Sequence, residues 1–324
     1  MRINRKIMLC ATVICCLLAF TGIVFASDQY PSKTIRIIVP YAAGGGTDTF
    51  GRNIAANLKS QLGVDVIVTN VVGGSGAIGR AEAAKAKADG YTMLMDDKAF
   101  ISALHMGVGK ITYKDMDPVC RLDEVAFALV INAKSDIKTL KDYLEYAKNN
   151  PGAVTIGVSG IGGMAHLNAE AIKLYGNVKL TVVPFEGGAM SRTALAGGHV
   201  ASIVAQLGEI DSFVKAGDFK ILALTSESRE KAFPDVPTFK ESGVDFSLSQ
   251  WRGIWVPKGT PVEVVTFLEK AIKKAMDSES FQDLSKKNFT TAKYLNHNDL
   301  AKELVKTDGD LKKVVDAAGL NPKK

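Results

Sequence analysis

The chain has 324 residues, with 40 Lys+Arg against 34 Asp+Glu and a formal net charge of +6. That length allows two domains with buried cores, and so small and dispersed an excess of positive charge excludes a nucleic-acid-binding surface. Only four cysteines and four histidines are present, and none falls at metal-ligand spacing.

The first 26 residues read as a cleaved secretory signal. Arg2, Arg5 and Lys6 form a basic start, Ile7 to Phe25 is apolar, and Val24-Phe25-Ala26 gives a small-x-small cleavage site. Three cysteines leave with this segment, so Cys120 stays as a lone thiol, and the net charge falls from +6 to +3. No later apolar run approaches the ~20 residues that span a bilayer. The product expected is an exported protein, periplasmic or otherwise extracytoplasmic.

After the signal, strand-like and helix-like runs alternate. A strand is predicted over 34–39, a helix over 47–62, a strand over 64–68, a helix over 75–88 and a strand over 91–95. This βαβαβ order implies a parallel sheet covered by helices. A long apolar, β-rich run over 118–133 follows and joins a second series. That series has helices at 139–149, 164–175, 189–195 and 209–215, and strands at 154–158, 180–183, 200–205 and 220–224. An irregular connection occupies 233–249. A strand over 253–256 and helices filling most of 262–318 complete the chain. The expected architecture is α/β with two lobes and a cleft between them. The lobes are 27–128 plus 250–324, and 129–249, with the last helices returning to the first lobe.

Four strand-to-helix turns are rich in glycine: PYAAGGGTD (40–48), VVGGSGAIG (71–79), SGIGGMAH (159–166) and PFEGGAM (184–190). Glycine lets a backbone approach a ligand closely, and a helix start offers unpaired N–H groups and a positive dipole end. Such turns suit anions, above all a small molecule with a carboxylate. The second turn also spells G-x-G-x-x-G through Gly74, Gly76 and Gly79, with Asp96 and Asp97 about where a ribose-binding acid would stand. It opens the second βα unit rather than the first, in an exported chain, which turns the reading from a dinucleotide cradle to a carboxylate nest. No arginine lies inside the first two turns, and Arg52 and Arg80 fall in the helices beyond. Recognition is therefore expected from backbone amides, with Arg80→Ala nearly silent and Gly74→Val or Gly45→Val damaging. Thr47, Asp48 and Ser75 are also good helix-capping residues, and His166 is as suited to capping as to ligand contact.

These segments together resemble the substrate-binding proteins of tripartite tricarboxylate transporters, the Bug receptors. The resemblance rests on YPSKTIRIIVPYAAGGGTDTFGR (30–52), NVVGGSGAIGRAEAAKAKADGYT (70–92), SGIGGMAHL (159–167) and VPFEGGAMSRTALAGGHV (183–200). FPDVPTFKESG (233–243) and WRGIWVPKGTP (251–261) extend it over nearly the whole mature chain. It implies a type II periplasmic-binding-protein fold that captures di- or tricarboxylates, amino acids or aromatic acids. It also implies that the first two turns hold a ligand carboxylate through amides and ordered waters, which maps to Tyr41, Ala42, Ala43, Gly44, Gly45, Gly46, Thr47 and Asp48, and to Gly73, Gly74, Ser75, Gly76 and Ala77. The second lobe would read the other end of the ligand with Ser159, Gly160, Gly162, Gly163, His166, Phe185, Gly187, Gly188, Ala189 and Gln206. Two departures stand out: Val72-Gly73-Gly74-Ser75-Gly76 replaces the usual Pro-Gly-Ala-Gly-Gly, and Phe185 stands where Tyr is commoner. The expected partners are a small carboxylate and membrane transporter subunits, with no cofactor, no metal and no nucleic acid, and the chain is expected to be a monomer.

Two other functions stay open. A sensor that hands its ligand state to a membrane kinase would use the same fold. A serine hydrolase needs G-x-S-x-G, but the sequences at 157–161 and 73–77 end in Ile161 and Ala77.

Overall fold

The computed structural model describes residues 30–185 and 187–322; the expected signal peptide lies outside the described residues. The first sheet has six strands in the order β11-β4-β10-β3-β1-β2. Its parallel half is β1 (Ile35–Val39) between β2 (Val66–Asn70) and β3 (Thr92–Asp97). Both faces of β1 are covered, so its sequence is a near-continuous apolar run, IRIIV, rather than an alternating one. Helix α1 (Gly46–Leu62) follows β1 and lays Phe50, Ile54 and Leu58 on the sheet, then ends at Gly63 in the left-handed conformation. Helix α2 (Ala77–Ala84) follows β2, and α3 (Ala99–Met106) follows β3.

The run expected over 118–133 is two strands in two sheets. β4 (Met116–Val125) belongs to the first sheet and β5 (Phe127–Asn132) to the second, with Ala126 alone between them. The second sheet has the order β7-β6-β8-β5-β9, from β6 (Thr155–Ser159), β7 (Thr181–Phe185), β8 (Ser202–Gln206) and β9 (Phe219–Leu224). Helices α4 (Leu140–Asn149), α5 (Met164–Gly176), α6 (Gly188–Ala196) and α7 (Leu207–Lys215) cover it. The chain returns through β10 (Gln250–Pro257), which lies antiparallel between β3 and β4. Helices α8 (Val262–Met276) and α9 (Glu279–Lys287), strand β11 (Thr291–Asn296) and helix α10 (His297–Ala318) close the fold.

Three features differ from the sequence reading. The helix expected over 75–88 spans only Ala77–Ala84, because the preceding Gly73 to Gly76 all have positive φ. Helix α3 had no periodic signal, since AFISALHM is apolar on nearly every side. Strand β11 was submerged in a helical stretch. It is a half-exposed edge strand held by its pairing with β4, a long-range contact that local pattern does not carry.

The hinge region between the sheets is densely packed. Trp251 and Trp255 on β10 are both at most 1% exposed, their rings stacked at 5.9 Å, and Phe100 of α3 meets Trp255 edge-on at 5.6 Å. Burying one such ring is worth roughly 1.5–3 kcal/mol, with about 0.5–1.5 more for aromatic pairing. These contacts fix the start of α3 against β10 of the first sheet.

A candidate anion-binding site between glycine turns

The first turn is folded by Asp48. Its Oδ2 accepts from the Gly44 N–H (2.8 Å) and Arg52 Nε (3.0 Å), and its Oδ1 accepts from Asn70 Nδ2 (2.8 Å). The carboxylate is 2% exposed. Although burial opposes the charge, these bonds from Arg52, Gly44 and Asn70 hold its pKa below the usual carboxylate value. Asp48 is thus an organiser of the turn. The cap position is Gly45, with no side-chain acceptor on it, so the first N–H groups of α1 are left for another partner. Gly44 has φ +82°, whereas Gly45 is extended at φ −72°. A valine at Gly45 therefore meets no positive-φ strain, so damage there can come only from blocking the backbone's approach to a ligand.

The second turn is left-handed throughout. Gly73, Gly74, Ser75 and Gly76 have φ of 129°, 56°, 53° and 92°. Three of these are glycines, the residue that enters this region without strain; Ser75 is the exception, a position that costs roughly 1–2 kcal/mol for an L-residue. The Gly76 and Ile78 N–H groups are spent inside the turn on the Gly73 carbonyl (3.1 and 3.4 Å), which leaves the Gly74 and Ser75 N–H groups for an outside acceptor such as an anion.

A buried arginine stands behind each turn. A methyl added at Gly46 would lie 2.8 Å from Arg252 Nη2, and one added at Gly76 would lie 3.0 Å from the Arg80 guanidinium carbon. Arg252 pairs with Asp123 and lies over the Phe50 ring at 4.5 Å, both partners buried. Arg80 is 1% exposed. Its Nε donates to Asp96 Oδ2 (2.6 Å), one Nη to Tyr41 Oη (3.0 Å) and the other to the Ser75 carbonyl (3.2 Å). Burial disfavours its charge, but Asp96 outweighs that and raises its pKa. The sequence reading set Arg80 aside as lying beyond the turn. It lies only four residues into the helix, so its side chain folds back under the loop.

Asp96 and Asp97 are not free for a ribose. Asp96 is held by Arg80 and by the Tyr41 hydroxyl (2.7 Å). Asp97 accepts from the Ala99 N–H (2.8 Å) and Gln250 Nε2 (2.7 Å). Burial and these two acids push the Tyr41 phenol well above its ordinary value, so it stays protonated.

A cavity of about 400 Å³ joins this arrangement to the third turn. Tyr41, Ser75 and Arg80 line one wall, and Ser159, Gly162 and Gly163 the opposite one. Ala99, Ala103, Met106, Val108, Ile161 and Leu320 supply an apolar body. Ile161 belongs to the third glycine turn, but the other five were not singled out in the sequence; the α3 residues among them lacked a helical signal. In the third turn His166 Nδ1 accepts the Gly162 N–H (2.9 Å), and the Gly160 N–H donates to the Phe185 carbonyl (2.8 Å). His166 is therefore a brace for the loop.

The fourth turn stands apart. Phe185, Gly187, Gly188 and Ala189 are not on the cavity wall. A methyl at Gly188 would lie 2.6 Å from Glu209 Oε2, which also accepts from Arg192 (3.1 Å). The Phe185 ring packs over Gly157 instead. Gln206 lies at the passage between sheets, where its Nε2 donates to Gln250 Oε1 (3.2 Å) and Gln250 donates on to Asp97. Ala42, Ala43, Gly45, Gly46, Thr47, Gly73, Gly74, Gly76 and Ala77 adjoin the cavity in sequence but do not line it directly.

Two α/β units with glycine turns facing a cleft define a solute-binding protein fold. Residues 50–320 match the tripartite tricarboxylate transporter family receptor, TctC, and the chain belongs to that family. It is 33% identical over 303 residues to the "UPF0065 protein in gbd 5'region" of Cupriavidus necator, covering 91% of this chain and 90% of the relative. A TctC solute binding protein from Polaromonas, solved with no ligand, superposes with a TM-score of 0.82 at 34% identity, over 89% of this chain and 99% of the other. An R. palustris protein solved with adipate superposes with a TM-score of 0.76 at 27% identity, over 91% and 100%. The family and the fold are those of solute-binding receptors. Among the described residues no helix is long and apolar enough to cross a membrane, and no group of three His, Cys, Asp or Glu could hold a metal ion.

Proposed function

We propose that this chain is the exported receptor of a tripartite tricarboxylate-type transporter, capturing a small carboxylate-bearing solute and presenting it to the membrane subunits. One observation carries the reading: Ser75, from the left-handed run Gly73 to Gly76, and Arg80 beneath that run both line the cavity, while Asp96, which neutralises Arg80, is not on the wall. Donors and a cation therefore face the solute, and the compensating anion faces away. Oriented N–H groups in a water-poor cleft are strong carboxylate ligands. The apolar body formed by Ala99, Ala103, Met106 and Val108 favours a hydrocarbon-bearing acid, such as a linear dicarboxylate, an aromatic acid or an amino acid, over a compact polar tricarboxylate. The adipate held by the R. palustris neighbour supports that preference. The two sheets act as lobes that close on the solute, with β4–β5 and β9–β10 as the crossings.

The test is a thermal-shift panel of mono-, di- and tricarboxylates and amino acids on the mature chain. A true ligand at 100 times its Kd adds about 2.7 kcal/mol of stability. A protein stabilised by a nucleotide but by no carboxylate overturns the reading. N-terminal sequencing of the exported form should begin near Ser27, and a chain still carrying Met1 would refute export with cleavage.

A further inference from the structure

The turn at 96–99 has two faces. Asp96 serves the front cavity through Arg80, whereas Lys98 enters a second cavity of about 300 Å³ behind the hinge. This rear cavity is lined by Lys98 and by Arg121 of β4, by Trp251 of β10, by Thr307 of α10, and by Lys240 and Ser247 from the segment after β9.

Its donors and acceptors do not balance. Lys98 and Arg121 are each 6% exposed, and neither forms an ion pair among the described residues. Arg121 uses only Nε, which donates to the Lys293 carbonyl (2.9 Å). The indole N–H of Trp251, buried on the same wall, has no acceptor. Two of the four acids on the wall are already paired with other cations. Glu124 is held by the Ser249 hydroxyl and by Lys293, and Glu227 by Lys240 at 2.6 Å. Glu303 takes the Thr307 hydroxyl at 3.5 Å, and Asp310 lies 4.0 Å from Lys313. Lys306 completes the charged lining from an exposed position on α10. The Lys98 ammonium, the two Nη groups of Arg121 and the Trp251 indole N–H thus share one cavity with no hydrogen-bond acceptor among the described residues, an arrangement that is costly unless an anion enters. Burial draws Lys98 down to about 8, in spite of Glu124 and Glu303 nearby.

We propose that the rear cavity is a second anion site, taking a phosphate or sulfate group between Lys98 and Arg121. A tetrahedral oxyanion offers acceptors to an ammonium, a guanidinium fork and an indole N–H at once. A metal ion does not fit, since no set of three ligating side chains converges among the described residues. The walls come from both sides of the β9–β10 crossing, so an occupant ties the first sheet to the segment leaving the second.

Calorimetric titration of inorganic phosphate into the mature chain, with potassium chloride at equal ionic strength as the control, tests this. Phosphate should bind the wild type, and Lys98→Met and Arg121→Gln should each weaken it by about tenfold or more, the loss of one charge-assisted hydrogen bond. Gly74→Val, which spoils the front turn at an exposed position, should leave phosphate binding intact. In phosphate-free buffer Lys98→Met should melt no lower than the wild type, because it removes a buried charge without a partner. Phosphate binding that survives Lys98→Met, that disappears in Gly74→Val, or that chloride reproduces overturns the proposal. So does a Lys98→Met protein that melts lower without phosphate, since its charge would then already be satisfied.

Discussion

On the β1–β3 side of the front cavity each glycine turn is backed by a buried arginine, Arg252 behind Gly46 and Arg80 behind Gly76. On the β6–β7 side the same kind of turn is braced without a buried arginine: His166 accepts the Gly162 N–H, and the partly exposed Glu209–Arg192 ion pair sits against Gly188. Glycine is required on both sides, but for different reasons. On the first side it makes room for a guanidinium. On the second, Gly160 and Gly187 have nothing within 4 Å of an added methyl, and only their φ of +85° and +151° calls for glycine. The first side holds its guanidinium groups buried behind the turns, whereas the second braces its turns with a histidine and a partly exposed ion pair.

The sharpest way to break this comparison is to remove the backing cation. Arg80→Ala strands Asp96, which is 0% exposed, and should cost about 3–5 kcal/mol in urea denaturation. It should also weaken carboxylate binding by more than about tenfold, as loss of a charge-assisted contact does. Arg192→Ala, on the other side, breaks a partly exposed pair with Glu209 and should cost only about 0–1 kcal/mol. Equal losses would erase the asymmetry.

Glycine replacement probes the same contrast at smaller scale. Gly76→Ala meets both the left-handed backbone, worth about 1–2 kcal/mol, and the Arg80 guanidinium, worth about 1–3 more. Gly160→Ala meets only the backbone cost of about 1–2 kcal/mol. Denaturation midpoints that rank Gly160→Ala as the worse substitution would contradict the backing role of Arg80.

The first side also carries a pH dependence, through Asp97. Burial, then the charge of Asp96, raises Asp97 from 3.8 to about 6. The folded protein thus holds this proton more tightly than the unfolded chain does. The resulting stabilisation is complete below pH 3.8 and is lost as pH rises through about 6. The effect should be on the order of 1–3 kcal/mol, and Asp97→Asn should flatten that part of the stability profile. An unchanged slope in the variant would assign the titration to another group.

The smallest effects lie at Ser75. Ser75→Gly relieves a left-handed serine and should stabilise by about 0.4–1 kcal/mol. Ser75→Ala removes one neutral hydroxyl and should weaken carboxylate binding by about tenfold or less. A loss of a hundredfold would move the centre of recognition from the backbone to that side chain.

The sequence alone determined what is local and periodic. The apolar runs of β1 and β2, the amphipathic helices after them and the glycine turns at their junctions are each specified within about twenty residues, because burial pattern and φ preference are properties of neighbouring residues. The resemblance carried by those turns led to the right family and fold. The tertiary structure decided what each turn rests on. Arg252 reaches Gly46 from a strand some two hundred residues later, and Asp96 claims Arg80 from the neighbouring strand. It also decided that Phe185 and Gly187 to Ala189 stand off the cavity while Ala99, Ala103 and Met106 line it. Such pairings depend on which buried charge finds which partner once the sheets assemble, and strand order is set by long-range contacts that leave no period in the chain. Sequence placed the donors, and the assembled fold placed the charges behind them.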